Sequence, residues 1–278
     1  MKFWKMNGCG NEIAIFDARG LDGPLHLSAA QIKAISNQKT GAGCDQVMAL
    51  EQPKAPGADL FIRIWNAEGT EVGACGNGTR CVAWLIMEET GVSELFIDSN
   101  GGVLTATRIG ERQICVDMGK PGLGWEDIPL EERMDTRRID LKIGPVDNPV
   151  LALPGAVNMG NPHAVFFVDD LEQVPVETLG PMLEFHPLFP EQANIGFAQI
   201  RSRNEIRLRV WERGAGLTKA CGSGACAALV AAHRQSLTDR NAKVVVDGGE
   251  LMIEWRKSDD HVLMSGPIEL EFEGDVPL

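Results

Sequence analysis

Positive charge is in short supply. Lys and Arg number 26 against 39 Asp and Glu in 278 residues, for a net charge of −13. That excludes a phosphate-backbone partner, whose binding rests on neutralising phosphates. The acidity reads as solubility and says little about a ligand. Long apolar runs are also missing: stretches such as residues 81–87 fall far short of the ~18 apolar residues that a membrane span needs. The N-terminal residues 1–7 lack the apolar core of a signal peptide, and Cys9 without one is no lipidation site. The expectation is a cytoplasmic protein with no nucleic-acid and no membrane partner.

Disulfides are not expected either. Seven cysteines, at 9, 44, 75, 81, 115, 221 and 226, are an odd number at irregular spacing. The pairs Cys75/Cys81 and Cys221/Cys226 do not make the C-x₂₋₄-C opening of a zinc knuckle, save loosely the second, and no two histidines stand four apart. No metal is expected. What is present, 44% apolar and 23% charged residues, suffices for a sizeable core. It rules out a disordered, collagen-like or coiled-coil chain. The length fits one large domain or two small ones.

The chain repeats itself. Ile62-Arg63-Ile64-Trp65 recurs as Leu208-Arg209-Val210-Trp211, and Ala74-Cys75-Gly76-Asn77-Gly78 as Ala220-Cys221-Gly222-Ser223-Gly224, both 146 positions on. Ser99-Asn100-Gly101-Gly102 resembles Val246-Asp247-Gly248-Gly249, and Asp117-Met118-Gly119 resembles Met264-Ser265-Gly266, each at 147. Gly10-Asn11-Glu12-Ile13 resembles Gly160-Asn161-Pro162-His163 at 150. Blocks recurring in one order at nearly one offset mean two copies of one fold.

Each copy reads alike. Residues 59–65 and 207–211 are rich in β-branched and aromatic residues and read as strands. A glycine-bracketed turn holding a cysteine follows. Then comes a helix, over 79–90 with Gly91 as its stop and over the Ala-rich 225–236. Asn100-Gly101 and Asp247-Gly248 mark hairpins with primed turns. Residues 3–6 and 13–17 are strand-like, and 26–37 reads as a helix capped by Ser28. Residues 119–132, rich in Gly, Pro and acidic residues, read as a linker. The fold class is α+β: two pseudo-symmetric lobes, each a mostly antiparallel sheet wrapped around a central helix, with the active site in the cleft between. The first lobe spans 1–118 and the second 119–264. Residues 265–278, with a strand at 268–272 that finds no room in the second copy, return to the first.

The repeat puts Cys75 and Cys221 at one structural place, just before a helix N-terminus. That end carries unpaired N–H groups and partial positive charge. Both favour thiolate and lower a cysteine pKa from about 8.5. The flanking glycines let an anion approach the backbone. Two such turns brought together by pseudo-symmetry set a sulfur on each face of a ligand Cα, which suits inversion of configuration. One thiolate removes the Cα proton and the other thiol returns one. Aimed N–H groups stabilise the enediolate formed between. A lone cysteine in such a turn reads as packing; two at repeat-related positions do not. Cys9, Cys44, Cys81, Cys115 and Cys226 read as packing residues.

The chain resembles the diaminopimelate epimerases, cofactor-independent amino-acid racemases, from Asn11 to Gly266-Pro267. The resemblance is carried by Gly41-Ala42-Gly43-Cys44-Asp45-Gln46, Arg63-Ile64-Trp65-Asn66-Ala67-Glu68-Gly69 and Ala74-Cys75-Gly76-Asn77-Gly78-Thr79-Arg80-Cys81. It continues through Gly160-Asn161-Pro162-His163-Ala164-Val165, Asn194-Ile195-Gly196-Phe197, Trp211-Glu212-Arg213-Gly214 and Ala220-Cys221-Gly222-Ser223-Gly224-Ala225. It implies that Cys75 and Cys221 are the acid/base pair. Gly76, Asn77, Gly222 and Ser223 would hold the reacting carboxylate by main-chain N–H groups. Asn11, Gln46, Asn66, Asn161, Asn194 and Arg213 would line the substrate pocket, with Glu212 and His163 near the reacting amine. It implies a diaminopimelate substrate, no cofactor and a homodimer. Arg213 offers a fork for a distal carboxylate, Glu212 can pair with an ammonium, and Asn and Gln suit a zwitterion. Leu217 stands where the family usually has an acidic residue and Cys44 where a small or apolar one is common. The chain has no Tyr, so any family Tyr at a subunit interface is absent.

Three other readings stay open. One is a racemase of the same fold acting on proline, hydroxyproline or histidine, which would have no use for Arg213 and a distal Asn set. The others are a thiol-redox or zinc module and a non-catalytic amino-acid binder.

Overall fold

The computed structural model describes residues 1–145, 147 and 149–276. The chain divides into two compact units: Met1–Asp117 with the segment from Ser265 to the C-terminus, and Met118–Met264. Residues 277 and 278 of the expected returning segment lie outside the described residues.

Unit 1 begins with strands β1 (Lys2–Gly8) and β2 (Asn11–Asp17), then helix α1 (Ala29–Ser36). Strands β3 (Gln46–Glu51), β4 (Leu60–Asn66) and β5 (Glu71–Val72) lead into helix α2 (Gly76–Thr90). Strands β6 (Glu94–Ser99), β7 (Leu104–Gly110) and β8 (Gln113–Asp117) complete this stretch. The pairs β1–β2, β3–β4, β4–β5, β6–β7 and β7–β8 are antiparallel, while β2–β3 and β4–β6 are parallel.

Unit 2 opens with the two-stranded pair β9 (Lys142–Ile143) and β10 (Leu151–Ala152). It continues with β11 (Gly155–Asn158), β12 (Pro162–Phe167), α3 (Val176–Glu184), β13 (Asn194–Ser202), β14 (Glu205–Glu212) and β15 (Gly216–Thr218). Helix α4 (Gly222–Arg234) and strands β16 (Asn241–Val246) and β17 (Gly249–Trp255) follow, and β18 (Val262–Pro267) carries the chain from unit 2 into unit 1. The pairing repeats that of unit 1: β11–β12, β13–β14, β14–β15 and β16–β17 antiparallel, β12–β13 and β14–β16 parallel. The last strand, β19 (Glu269–Asp275), returns to unit 1 and pairs antiparallel with β1.

Each unit wraps its sheet around one helix. Every residue of α2 from Gly76 to Met87 is buried, and α4 is buried on nearly all sides. A helix without a wet face belongs in a core. The helices start three residues earlier than the apolar pattern predicts because each cysteine is itself the N-cap. Its sulfur accepts an N–H of the first turn, from Gly78 at 3.3 Å and from Gly224 at 3.4 Å. Gly91 closes α2 with φ 78°, as its position predicts. Helix α1 carries a capping box between Ser28 and Gln31.

Two expectations need correcting. The hairpins at Asn100-Gly101 and Asp247-Gly248 are not primed turns. A primed turn needs positive φ at a central residue, and here it falls on the following glycine instead, Gly102 at 106° and Gly249 at 147°. The primed turn lies at Cys9-Gly10, where φ is 62° and 83°, with the Gly10 N–H donating to Asn7 Oδ1 at 2.7 Å. The stretch 119–132 is no linker either. Gly122 bridges to Asn158, and Ile128 and Leu130 sit in the apolar core of unit 2.

Candidate active site

In unit 1 the cysteine turn is held from two sides. The Gly101 N–H donates to the Gly73 carbonyl at 2.8 Å, which ties the β6–β7 turn to the approach to Cys75. A Cβ at Gly8 would lie 2.9 Å from the Asn77 carbonyl oxygen, so the β1–β2 hairpin touches the first turn of α2 only because residue 8 is glycine. Unit 2 repeats the first device: the Gly248 N–H donates to the Lys219 carbonyl at 2.8 Å.

Around Cys75 the structure gathers Asn11, Gln46, Gly76 and Asn77. Asn11 Nδ2 lies 3.5 Å from Cys75 Sγ and 3.3 Å from Gln46 Oε1. Cys75 is partly exposed, and its sulfur accepts from the Asn11 amide and the Gly78 main chain. Asn77 is buried, with Arg80 Nη1 donating to its Oδ1 at 3.1 Å. Asn66 sits across from Gln46 in the β3–β4 register. Its Oδ1 takes the Thr70 N–H at 3.0 Å, so its amide oxygen serves a turn.

Glu212, Gly222 and Ser223 adjoin Cys221, His163 and Asn161 stand behind Ser223, and Asn194 is joined to the Glu212-Arg213 stretch. Ser223 Oγ lies 3.6 Å from Cys221 Sγ and 3.1 Å from His163 Nε2, and that nitrogen is 2.9 Å from Asn161 Oδ1. Asn194 donates to the Pro162 carbonyl at 2.9 Å and accepts the Arg213 N–H at 3.0 Å, which fixes where the 212–214 stretch leaves β14. Thr218 Oγ1 donates to Glu212 Oε1. Arg213 is exposed, with Nη1 on the Glu191 carbonyl at 2.9 Å.

Electrostatics separates these groups. His163 is fully buried, and burial first, then the Arg213 charge, push its pKa down to about 3, so the ring is neutral near pH 7. Helix position predicts a lowered pKa for both cysteines. For Cys221 that is corrected: burial and the neighbouring Glu212 carboxylate hold its thiol well above the ordinary value, against the opposing Ser223 and Gly224 hydrogen bonds. Cys81, Cys226 and Cys44 are buried and the apolar surroundings push the Cys81 thiol up to about 12, in keeping with packing residues.

Sequence reasoning missed three supports: Arg80 on Asn77, Thr218 on Glu212, and the buried Glu184. Glu184 takes Trp211 Nε1 at 2.7 Å and the Gly214 N–H at 2.9 Å, and so braces both ends of the Glu212-Arg213 pair. Arg80 gave a signal, a charge directly before the apolar run 81–87 of α2. Glu184 gave none, since nothing in its local sequence marks burial.

A family model described as diaminopimelate epimerase matches residues 3–123 and 155–271. The diaminopimelate epimerase of Phenylobacterium zucineum (strain HLK1) is 54% identical over 275 residues, covering 99% of this chain and 97% of that protein. That of Caulobacter vibrioides (strain NA1000 / CB15N) is 50% identical over 285 residues, with the same 99% and 97% coverage. Among solved structures the fold matches a hydroxyproline epimerase from Agrobacterium vitis with bound trans-4-hydroxy-L-proline, at TM-score 0.68, 14% identity, 99% of this chain and 91% of that one. It also matches the Bacillus anthracis phenazine biosynthesis protein at TM-score 0.66, 14% identity, 100% and 99%. At such identities these two carry the fold alone. The close relatives and the two matched stretches carry more: the chain belongs to the diaminopimelate epimerase family.

Proposed function

We propose that the chain interconverts LL- and meso-diaminopimelate by inversion at Cα, with Cys75 and Cys221 as its acid/base pair. One thiolate takes the Cα proton on one face, and the other thiol gives a proton to the opposite face. The first sulfur ends protonated and the second as thiolate, so the reverse reaction runs on the same pair with roles exchanged. The observation that carries this reading is the common environment of the two sulfurs. Each is the N-cap of a buried helix and accepts the N–H of Gly78 or Gly224. The helix end favours negative charge on a nearby enediolate, and at Cys221 it works against burial and Glu212. In one direction Cys221, with Glu212 beside it, is the thiol and Cys75, with Asn11 on its sulfur, the base; in the other the two exchange.

Gly76, Asn77, Gly222 and Ser223 hold the reacting carboxylate by main-chain N–H groups. Glu212 faces an ammonium and Arg213 the distal carboxylate. Asn11, Gln46, Asn66, Asn161 and Asn194 line the remainder, and neutral His163 supports the amine end. Acid, base and charge stabilisation all come from these groups, so the proposal calls on no metal and no pyridoxal cofactor. The product feeds lysine and peptidoglycan precursor synthesis, and the proposal extends to a homodimer in the cytoplasm. Among the described residues no helix is long and apolar enough to cross a membrane. The proline- and hydroxyproline-type alternative shares the fold but not the close relatives, and is not favoured.

The test is incubation of purified protein with LL-diaminopimelate in D₂O, without added cofactor, followed by chiral separation. Early product carries deuterium at Cα while remaining substrate is still protiated, and the same holds starting from the meso form. Equal early labelling of both would overturn the two-base reading. Turnover of proline or hydroxyproline in place of diaminopimelate would restore the alternative.

A further inference from the structure

The two thiols do not draw their side-chain donors from matching positions. In unit 1 Asn11 Nδ2 donates to Cys75 Sγ at 3.5 Å. Its repeat counterpart in unit 2, Asn161, turns its Oδ1 to His163 instead. The group beside Cys221 Sγ is the Ser223 hydroxyl at 3.6 Å, which also lies 3.1 Å from His163 Nε2. Ser223 in turn corresponds to Asn77, whose side-chain oxygen is taken by Arg80. The donor to the sulfur is a fixed amide in unit 1 and a rotatable hydroxyl in unit 2.

His163 decides where that hydroxyl proton points. The ring is fully buried and among the described residues its Nδ1 has no hydrogen-bond partner, while Asn161 Oδ1 and Ser223 Oγ both approach Nε2. Asn161 Oδ1 can only accept, which favours the tautomer with hydrogen on Nε2 and leaves that nitrogen no lone pair for the Ser223 hydroxyl. Ser223 Oγ then accepts from the ring, and its own hydrogen is left to donate to Cys221 Sγ.

We infer that Ser223, through its side-chain hydroxyl rather than its main chain, is a positioning residue that sets the protonation balance of Cys221: aimed by His163, it donates to the thiolate and opposes Glu212. When the Cys221 S–H bond breaks and the new Cα–H bond forms, the charge left on sulfur meets this O–H. The groups that act on Cys221 are Glu212 at the end of β14, held by Thr218 of β15, Ser223 and Gly224 on its own helix, and His163 of β12 through Ser223. Arg213 acts on His163 in turn. Of the strands packed against α4, β13 and β16 carry Arg201 and Lys243, and both pair with Glu205.

The inference deepens the proposed function and rests on Cys221 being one of the two bases. Its test uses the full-length protein without turnover: alkylation by iodoacetamide as a function of pH, read per cysteine by peptide mapping. In Ser223→Ala the midpoint for Cys221 rises by about one pH unit, so alkylation on the rising limb slows about tenfold, while the high-pH plateau stays. Ser223→Thr restores the midpoint, and the Cys75 midpoint is the same in all three proteins. The limb of the kcat/KM profile that reports Cys221 moves with it. An unchanged Cys221 midpoint in folded Ser223→Ala overturns the inference. Should that variant not fold, His163→Gln serves: it frees the hydroxyl, so the midpoint rises, and an unchanged midpoint again overturns it. Parent protein with the expected alkylation behaviour but no epimerisation would overturn the proposed function instead.

Discussion

At the scale of single residues, the proposed mechanism makes the two sulfurs stand or fall together. A positioned acid or base contributes roughly 10²–10⁴-fold, and inversion needs both. Cys75→Ala and Cys221→Ala should each lower epimerisation by at least that factor, and the double variant should be little worse, because the groups act as a unit. Epimerisation rates of the three proteins check this; additive losses would mean two independent roles. His163 gives a second expectation, in stability. Its folded pKa of about 3 lies below the unfolded value near 6.5. Above pH 6.5 the ring is neutral in both states and costs nothing. As pH falls from 6.5 towards 3 only the unfolded chain takes up the proton, so stability drains away across that window, by a few kcal/mol at most. Urea unfolding of wild type and His163→Asn at pH 7 and pH 4.5 reads this as a steeper loss in the wild type. Equal slopes would mean that the ring is protonated in the folded protein.

At the scale of elements, glycine at the tight contact separates site geometry from plain stability. Gly8→Ala drives a methyl to 2.9 Å from the Asn77 carbonyl, where backbone, not a flexible side-chain tip, must give. Such overpacking costs about 1–3 kcal/mol, and here it displaces the first turn of α2, so kcat/KM for diaminopimelate should fall with it. Ser28→Ala is the comparison. It removes the α1 cap, should cost about 1 kcal/mol, and should leave kcat/KM unchanged, since none of the candidate site residues lies on α1. Denaturation midpoints and kcat/KM of both variants decide it. The same elements explain what was legible. The Cys turns, the helices behind them and the strands before them were readable because both copies need the same glycines and the same apolar faces. The primed-turn expectation failed because Asn100-Gly101 and Asp247-Gly248 are each followed by another glycine that takes the positive φ. Strands β9 and β10, two residues each, and helix α3, with Pro181 inside it, lie outside the repeated blocks and were not readable. Of the candidate site, Asn11 and Gln46 meet Cys75, and Ser223, with His163 and Asn161 behind it, meets Cys221. What the sequence left hidden was side-chain orientation: Asn66 serving a turn, Ser223 facing a ring, Glu184 bracing Trp211.

At the scale of the whole molecule, the chain leaves unit 1 after β8, completes unit 2, and comes back to lay β19 on β1. A short C-terminal segment therefore belongs, in its contacts, to a body begun some 260 residues earlier. The pairing runs from Lys2 opposite Asp275 to Asn7 opposite Glu269, with one bulge between Lys5 and Met6. It covers Phe3, whose ring meets Phe272 edge-on at 5.9 Å. It also completes the shell of Lys5, a buried ammonium. Burial works against that charge, but Glu12 at 2.9 Å and Glu271 at 3.4 Å outweigh it and hold the pKa above the ordinary value. Truncation after Gly266 would strip the ladder from β1, uncover Phe3 and leave Lys5 with Glu12 and the Gly43 carbonyl alone. The expected result is local to unit 1. Amide hydrogen exchange should quicken in β1 and β2 by at least an order of magnitude, since losing one partner of a buried charge and a strand of ladder together costs several kcal/mol. Exchange in β12, β13 and α4 should hold at the parent rate. Equal acceleration in both units would show that the two bodies, distinct in their contacts, unfold as one.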